Sequence, residues 1–200
     1  MVTSLDDAVI AVKAGFVVGI ATDTVYGLAV GATVPDASAS LAAVKGRSSE
    51  VPVQVLVSGI EQALSIGELS PAALRVAVAV WPGAATLVVP RRSGVDLRLG
   101  GDGATVGIRW PGNEVAAELC ARCGPIAATS ANRHGEAPFA TAAEVADAFS
   151  NDIALVVDGG PCPGIASTVV DLTGANPLII RAGAVPLEAM LEAFAGPPSR

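Results

Sequence analysis

Four polar interruptions of strongly apolar segments stand out in this chain. They are Thr22 to Thr24 after the run Phe16 to Ile20, Arg109 inside TVGIRW, Ser130 to Asn132 after PIAAT, and Ser167 to Thr168 ahead of VVDL. A basic pair, Lys45 and Arg47, follows an amphipathic segment. Together these groups offer hydroxyls, a carboxamide and cations, with hardly any general base. The one histidine, His134, lies in the loop RHGEAP.

That set decides between chemistries. A hydrolytic triad needs a framed nucleophile and usually a histidine, and no GxSxG is present. Neither a Walker loop nor GxGxxG occurs, so neither standard phosphate cradle is available. What remains suits the binding of anions and transfer by positioning, with cations for phosphate or carboxylate and hydroxyls for orientation. Arg109 in an apolar strand requires a partner, and a planar carboxylate matches its fork best. That carboxylate is either a ligand's or one of the chain's own 19 acidic residues. The chain has ten arginines and two lysines, Lys13 and Lys45, so Lys45 is not the default cation here. A compact, rotatable ammonium fits a phosphate that changes geometry, although a helix-end lysine on the dipole explains it equally well.

The elements that must hold these groups follow from local signals. Ser4 before LDDAVIAVKAG, with acidic residues in the first turn and Gly15 after the last periodic position, predicts a capped helix. It leads into a strand over Phe16 to Ile20 that leaves the core through TDTVYG. Further helices are predicted over Asp36 to Val44, Ile60 to Ile66, Pro71 to Val80, Asn113 to about Arg122, Thr141 to Phe149 and Pro186 to Phe194. Strands are predicted over PVQVLV, Ala85 to Pro90, Thr105 to Trp110, Pro125 to Thr129, Ala154 to Asp158, Ser167 to Leu172 and Leu178 to Arg181. Roughly seven strands interleaved with helices predict a single α/β domain spanning residues 1–200. The last three strands follow one another through turns, so the sheet is expected to be mixed parallel and antiparallel.

Bulk properties exclude several classes. Hydrophobic residues make up 52% and charged ones 16%, and the mean hydropathy is +0.57, which excludes a disordered chain. The longest charge-free run, Val76 to Pro90, is 15 residues and contains Pro82 and Gly83, short of the roughly 20 apolar residues of a membrane span. No basic region precedes an apolar segment at the N-terminus, so a cytoplasmic protein is expected. A net charge of −7 argues against a protein that coats nucleic acid through its overall field. Cys120, Cys123 and Cys162 are an odd number and form no disulfide framework. Cys120 and Cys123 make a CxxC, the spacing of a redox pair or half a zinc site, but it falls late in a predicted helix with one further cysteine and one histidine elsewhere, so buried or inert thiols are expected.

Six strings in order, TDTVYGL, KGR, TVGIRWPG, ATSAN, STVVDLT and IIRAGAV, resemble the YrdC-like threonylcarbamoyl-AMP synthases. WPGAATLVV matches the same family's WPG turn before a strand. The resemblance implies a twisted mixed sheet with flanking helices around a deep, positively lined cavity. It implies a nucleotidyltransferase joining L-threonine, bicarbonate or CO2, and ATP into threonylcarbamoyl-AMP with release of pyrophosphate, the first step of tRNA threonylcarbamoyladenosine synthesis. Mg2+ would accompany the ATP. Carried over by position, Thr22, Tyr26, Arg109, Ser130 and Ser167 would serve the threonine. Lys45 and Arg47 would act on the triphosphate as the catalytic cations, with Ser49, Thr105, Asn132 and Arg181 holding the nucleotide. Implied partners are a downstream tRNA threonylcarbamoyl transferase and a weak contact with tRNA.

The chain departs from the family pattern at Ala21, at Ser48, Val51 and Val53 after KGR, and at His134. It ends soon after IIRAGAV, as expected of a short single-domain form. An RNA-binding module using a basic rim, and a paralogue moving a carbamoyl group from another donor, are the alternative readings.

Overall fold

A computed structural model describes residues 2–133 and 135–196; His134 lies outside the described residues. Seven helices and ten strands are present among them, against the seven or so strands expected. The strands form one sheet in the order β1-β8-β2-β3-β7-β4-β6-β5-β9-β10.

Helix ends follow the sequence signals. In α1 (Leu5–Lys13) the Ser4 hydroxyl accepts from the Asp7 backbone N–H at 3.3 Å, with Asp6 and Asp7 in the first turn. Ser70 caps α4 (Pro71–Val80) ahead of its first-turn proline, Asn113 caps α5 (Glu114–Cys123), and Thr141 with Glu144 closes a reciprocal capping box on α6 (Ala142–Ala148). The remaining helices are α2 (Ala37–Lys45), α3 (Ile60–Ile66) and α7 (Leu187–Ala195).

Three strands differ from the sequence expectation, the first being the short β1 (Val2–Thr3), which precedes every expected strand. The strand β2 covers Val18–Ile20 only, and Phe16 is 59% exposed. The segment after the polar turn is itself a strand, β3 (Gly27–Gly31), buried at every position. Glycine at both of its ends hides the β signal, and the neighbours account for the glycines. A Cβ on Gly27 would stand 3.3 Å from the Thr129 carbonyl, and one on Gly31 would stand 3.1 Å from Val34.

The sheet is mixed. β3 pairs antiparallel with β2 and β7 (Ile126–Ser130), and β7 pairs antiparallel with β4 (Gln54–Leu56). β4 runs parallel to β6 (Thr105–Arg109), which lies antiparallel to β5 (Ala85–Pro90). The short β1 (Val2–Thr3) pairs parallel with β8 (Leu155–Val157). The last strands are split: β8 lies beside β2, whereas β9 (Thr168–Asp171) and β10 (Leu178–Arg181) close the opposite edge. The 158–167 connection therefore crosses most of the sheet.

Alternation along the strands sets the two faces. Val55, Leu87, Val89, Ile108 and Val170 belong to the core cluster to which α2, α3, α4, α6 and α7 contribute. Helices α1 and α5 pack in a second cluster with Val18, Ile20, Ala29, Leu56 and Ile126. Gln54, Thr86, Val88, Gly107 and Val169, the alternate neighbours of the first group, line a cavity.

Candidate active site

The cavity has a volume of about 670 Å3, the size of a site for a small-molecule ligand. It collects Thr22, Lys45, Arg47, Thr105, Arg109, Ser130, Asn132, Ser167 and Arg181 from segments far apart in the chain. Tyr26 and Ser49 do not line it. Ser49 belongs to a separate surface depression of about 410 Å3 beside Gly100 and Gly101.

Lys45 ends α2 just before Gly46, whose φ of 64° stops the helix. Its ammonium is buried and donates to the Ser130 carbonyl at 2.7 Å and to Asn132 Oδ1 at 2.7 Å. The Ser130 hydroxyl bonds the same Asn132 oxygen at 2.6 Å. All these acceptors are neutral. Burial, and then the neighbouring charge of Arg47, push the Lys45 pKa down to about 8. Arg47 has a buried Nε with no hydrogen-bond partner, and burial lowers its pKa as well. An orphaned buried donor on a cavity wall, next to an ammonium without a carboxylate, is an arrangement completed by an anion.

At the other end of the cavity Arg109 is 2% exposed. It donates through Nη2 to Asp23 at 2.6 Å, through Nη1 to Thr24 Oγ1 at 2.9 Å and through Nε to the Gly83 carbonyl at 3.1 Å. The chain thus supplies a carboxylate for this guanidinium, and two of its five N–H groups remain unspent. Burial lowers the Arg109 pKa, Asp23 opposes that shift, and the like charge of Arg181 adds to it.

The Thr22 hydroxyl is consumed locally. It donates to the Val25 carbonyl at 2.6 Å and accepts from the backbone N–H groups of Thr24 and Val25 at 3.1 and 3.2 Å. The residue fixes the β2–β3 turn. Tyr26 is fully buried and points to the 158–160 segment, its hydroxyl donating to Asp158 Oδ1 at 3.2 Å and to the Gly160 carbonyl at 3.0 Å. Burial pushes its pKa up to about 12. The same connection is pinned by Gly164 N–H on the Thr24 carbonyl at 2.8 Å and by the Cys162 thiol on the Thr22 carbonyl at 3.2 Å.

The polar wall also contains residues that the sequence reading did not single out. Gln54 and Thr86 line the cavity, as do the carboxylates of Glu136 and Asp171. For Gln54 and Thr86 the signal was present: each is a polar residue at an inward position of an otherwise apolar strand, as Arg109 is. The three cysteines are free, and burial raises each thiol pKa, which disfavours the reactive thiolate. Among the described residues no helix is long and apolar enough to cross a membrane.

The mixed α/β fold is shared with solved structures, among them a Pyrococcus abyssi Sua5 variant at a TM-score of 0.87 and 35% identity over 92% of this chain and 57% of that one. The sequence model of the Sua5/YciO/YrdC family, described as telomere recombination, matches residues 11–183, and the chain belongs to that family. A Mycobacterium tuberculosis protein is 39% identical over 187 residues, covering 92% of this chain and 86% of its own length. The threonylcarbamoyl-AMP synthases of Pyrococcus abyssi and Bacillus subtilis are each 36% identical over 88% and 90% of this chain, which spans 53% of their length. The crystal structure of Pyrococcus abyssi Sua5 complexed with L-threonine matches with a TM-score of 0.86 at 35% identity, over 92% of this chain and 55% of that one.

Proposed function

We propose that this chain is a threonylcarbamoyl-AMP synthase acting in tRNA modification, joining L-threonine, bicarbonate or CO2, and ATP with release of pyrophosphate. The observation that carries the reading is the pair formed by buried Lys45 and half-buried Arg47, two cations lining one cavity without a carboxylate partner among the described residues, in a chain 36% identical to enzymes of that name.

The chemistry is a nucleotidyl transfer without a protein nucleophile. The threonine amine adds to the carbon of CO2, forming a C–N bond and giving up a proton. An oxygen of the resulting carbamate attacks the α-phosphorus, and the bond from that phosphorus to the pyrophosphate oxygen breaks. Lys45 and Arg47 are assigned to the triphosphate, where their charge meets the negative charge building on the transferring group. Thr105, Asn132 and Arg181 hold the nucleotide. Arg109 directs its two unspent N–H groups at the threonine carboxylate, with Ser167 on the same side, and Ser130, held by Lys45, is assigned to the same substrate from the opposite end. Two anions in one cavity repel each other, so cations at both ends let them bind together. Thr22 and Tyr26 act by fixing the turn and the crossing segment that form this end of the wall. Mg2+ would enter with the nucleotide substrate and offset the charge of its phosphates. Among the described residues no three His, Cys, Asp or Glu side chains cluster as a metal site. The product passes to a tRNA threonylcarbamoyl transferase.

The test is release of pyrophosphate from ATP, with the adenylate identified by mass. Dependence of that release on both L-threonine and bicarbonate is expected. Release that proceeds equally without threonine would overturn the assignment.

A further inference from the structure

Across the cavity floor runs a chain of hydrogen bonds with one direction. Arg181, at the end of β10, can only donate, and its Nη2 reaches the Ser167 hydroxyl at 2.9 Å while Nε holds the Ser167 carbonyl at 3.0 Å. The Ser167 and Thr86 hydroxyls are 3.0 Å apart. Thr86 in turn donates to Gln54 Oε1 at 2.7 Å. Because Thr86 spends its proton on Gln54, Ser167 spends its own on Thr86. Each hydroxyl in the row has then placed its proton, and the free end is the amide nitrogen of Gln54, a cavity-lining residue, with no hydrogen-bond partner among the described residues.

Gly107 makes this row continuous. It lies between β4 and β5 on β6, and a Cβ there would meet Thr86 Cγ2 at 3.4 Å and Gln54 Cβ at 3.9 Å. With no side chain at 107, Thr86 reaches over the intervening strand to Gln54. One step along the antiparallel β5–β6 ladder from the Leu87–Ile108 pair, Thr86 comes level with Arg109. The fixed carboxamide, level with Gly107 on β6, is thus bonded to the hydroxyl that stands level with Arg109.

We propose that Gln54 is a substrate-recognition residue of the amino-acid end, donating from Nε2 to an acceptor oxygen of the amino acid or its carbamate, with Thr86 as its positioning residue. This rests on the reading of the cavity given above. It also restricts the part played by Ser167, whose proton is spent on Thr86 and one lone pair on Arg181, so that toward the ligand it acts only as an acceptor. An amide presenting N–H groups favours ligands with only acceptors at that point and penalises those that present a donor.

The experiment is calorimetric titration of L-threonine, and separately of a non-hydrolysable ATP analogue, into the full chain and into Gln54→Met and Thr86→Val, with thermal melts as a check on folding. For Gln54→Met a loss of threonine affinity of roughly tenfold to a hundredfold is expected, the range of one hydrogen bond to a charged group, with nucleotide affinity unchanged. Thr86→Val is expected to lose less, and in turnover to raise the KM for threonine while leaving kcat. Equal threonine affinity in the unaltered protein and a folded Gln54→Met, or equal losses for both ligands, would overturn this inference alone. Failure of threonine to bind the unaltered protein would overturn it together with the proposed function.

Discussion

Arg109 on β6 and Asp23 in the β2–β3 turn form a 2.6 Å ion pair, with side-chain exposures of 2% and 20%. The pair ties the strand that floors the cavity to the turn that walls it. Breaking a buried pair leaves a charge uncompensated at a cost of roughly 3 kcal/mol or more. Asp23→Ala is therefore expected to lower the melting temperature by roughly 6–12 °C, from about 2–4 °C per kcal/mol in a domain of this size. Arg109→Ala should show a comparable loss, and in addition raise the threonine requirement far more than the ATP requirement. Steady-state kinetics with each substrate varied in turn checks this; parallel losses for both substrates would remove Arg109 from the carboxylate.

Lys45 gives a pH signature. Its pKa falls from 10.5 to about 8 on folding. Between about pH 8 and 10.5 the unfolded chain keeps a proton that the folded chain has released, so stability rises with pH across that window. Below about pH 8 both states hold the proton and the burial penalty is fully present. Lys45→Met is expected to lose this rise, which paired melts from pH 7 to 10.5 would show. Turnover is expected to fall as pH increases through about 8, because the triphosphate loses its ammonium, and Lys45→Ala should reduce kcat more than threonine binding.

Arg47 is the reverse of a structural arginine. Its Nε is buried without a partner, so truncation removes a desolvation cost and, among the described residues, no side-chain hydrogen bond. Arg47→Leu is expected to match or exceed the unaltered protein in melting temperature while losing roughly tenfold to a hundredfold in nucleotide affinity. Melting curves recorded with and without the ATP analogue test both halves. A destabilised apoprotein would assign Arg47 to the scaffold.

Tyr26 does not line the cavity. Tyr26→Phe leaves Asp158 and the Gly160 carbonyl without its hydroxyl, a cost of about 1–3 kcal/mol. Faster amide exchange across residues 158–164 is expected, with a smaller effect on threonine affinity than Gln54→Met. An affinity loss larger than the Gln54 effect would place the Tyr26 ring against the substrate.

The amino-acid sequence by itself determined the helices, the α/β class with a mixed sheet, and the set of polar residues that interrupt apolar strands. Those properties depend on caps, periodicity and turn residues within a few positions of one another. Ser4, Asn113 and the Thr141–Glu144 box are legible because each acts on its own helix. The order of the strands, and therefore which interruptions share a cavity, was settled only in three dimensions. Asp23 and Arg109 are 86 residues apart, and Tyr26 and Asp158 are 132 apart; no local preference encodes either contact. β3 stayed hidden because its glycines answer to the Thr129 carbonyl and Val34 rather than to strand propensity. Gln54 and Thr86 carried the signal of polar residues in apolar strands, but their pairing emerged only when β4, β6 and β5 came side by side, with Gly107 as the gap they bridge. The sequence selects the groups that could do the chemistry. The folded sheet decides which of them are already spent on one another and which remain free to meet a substrate.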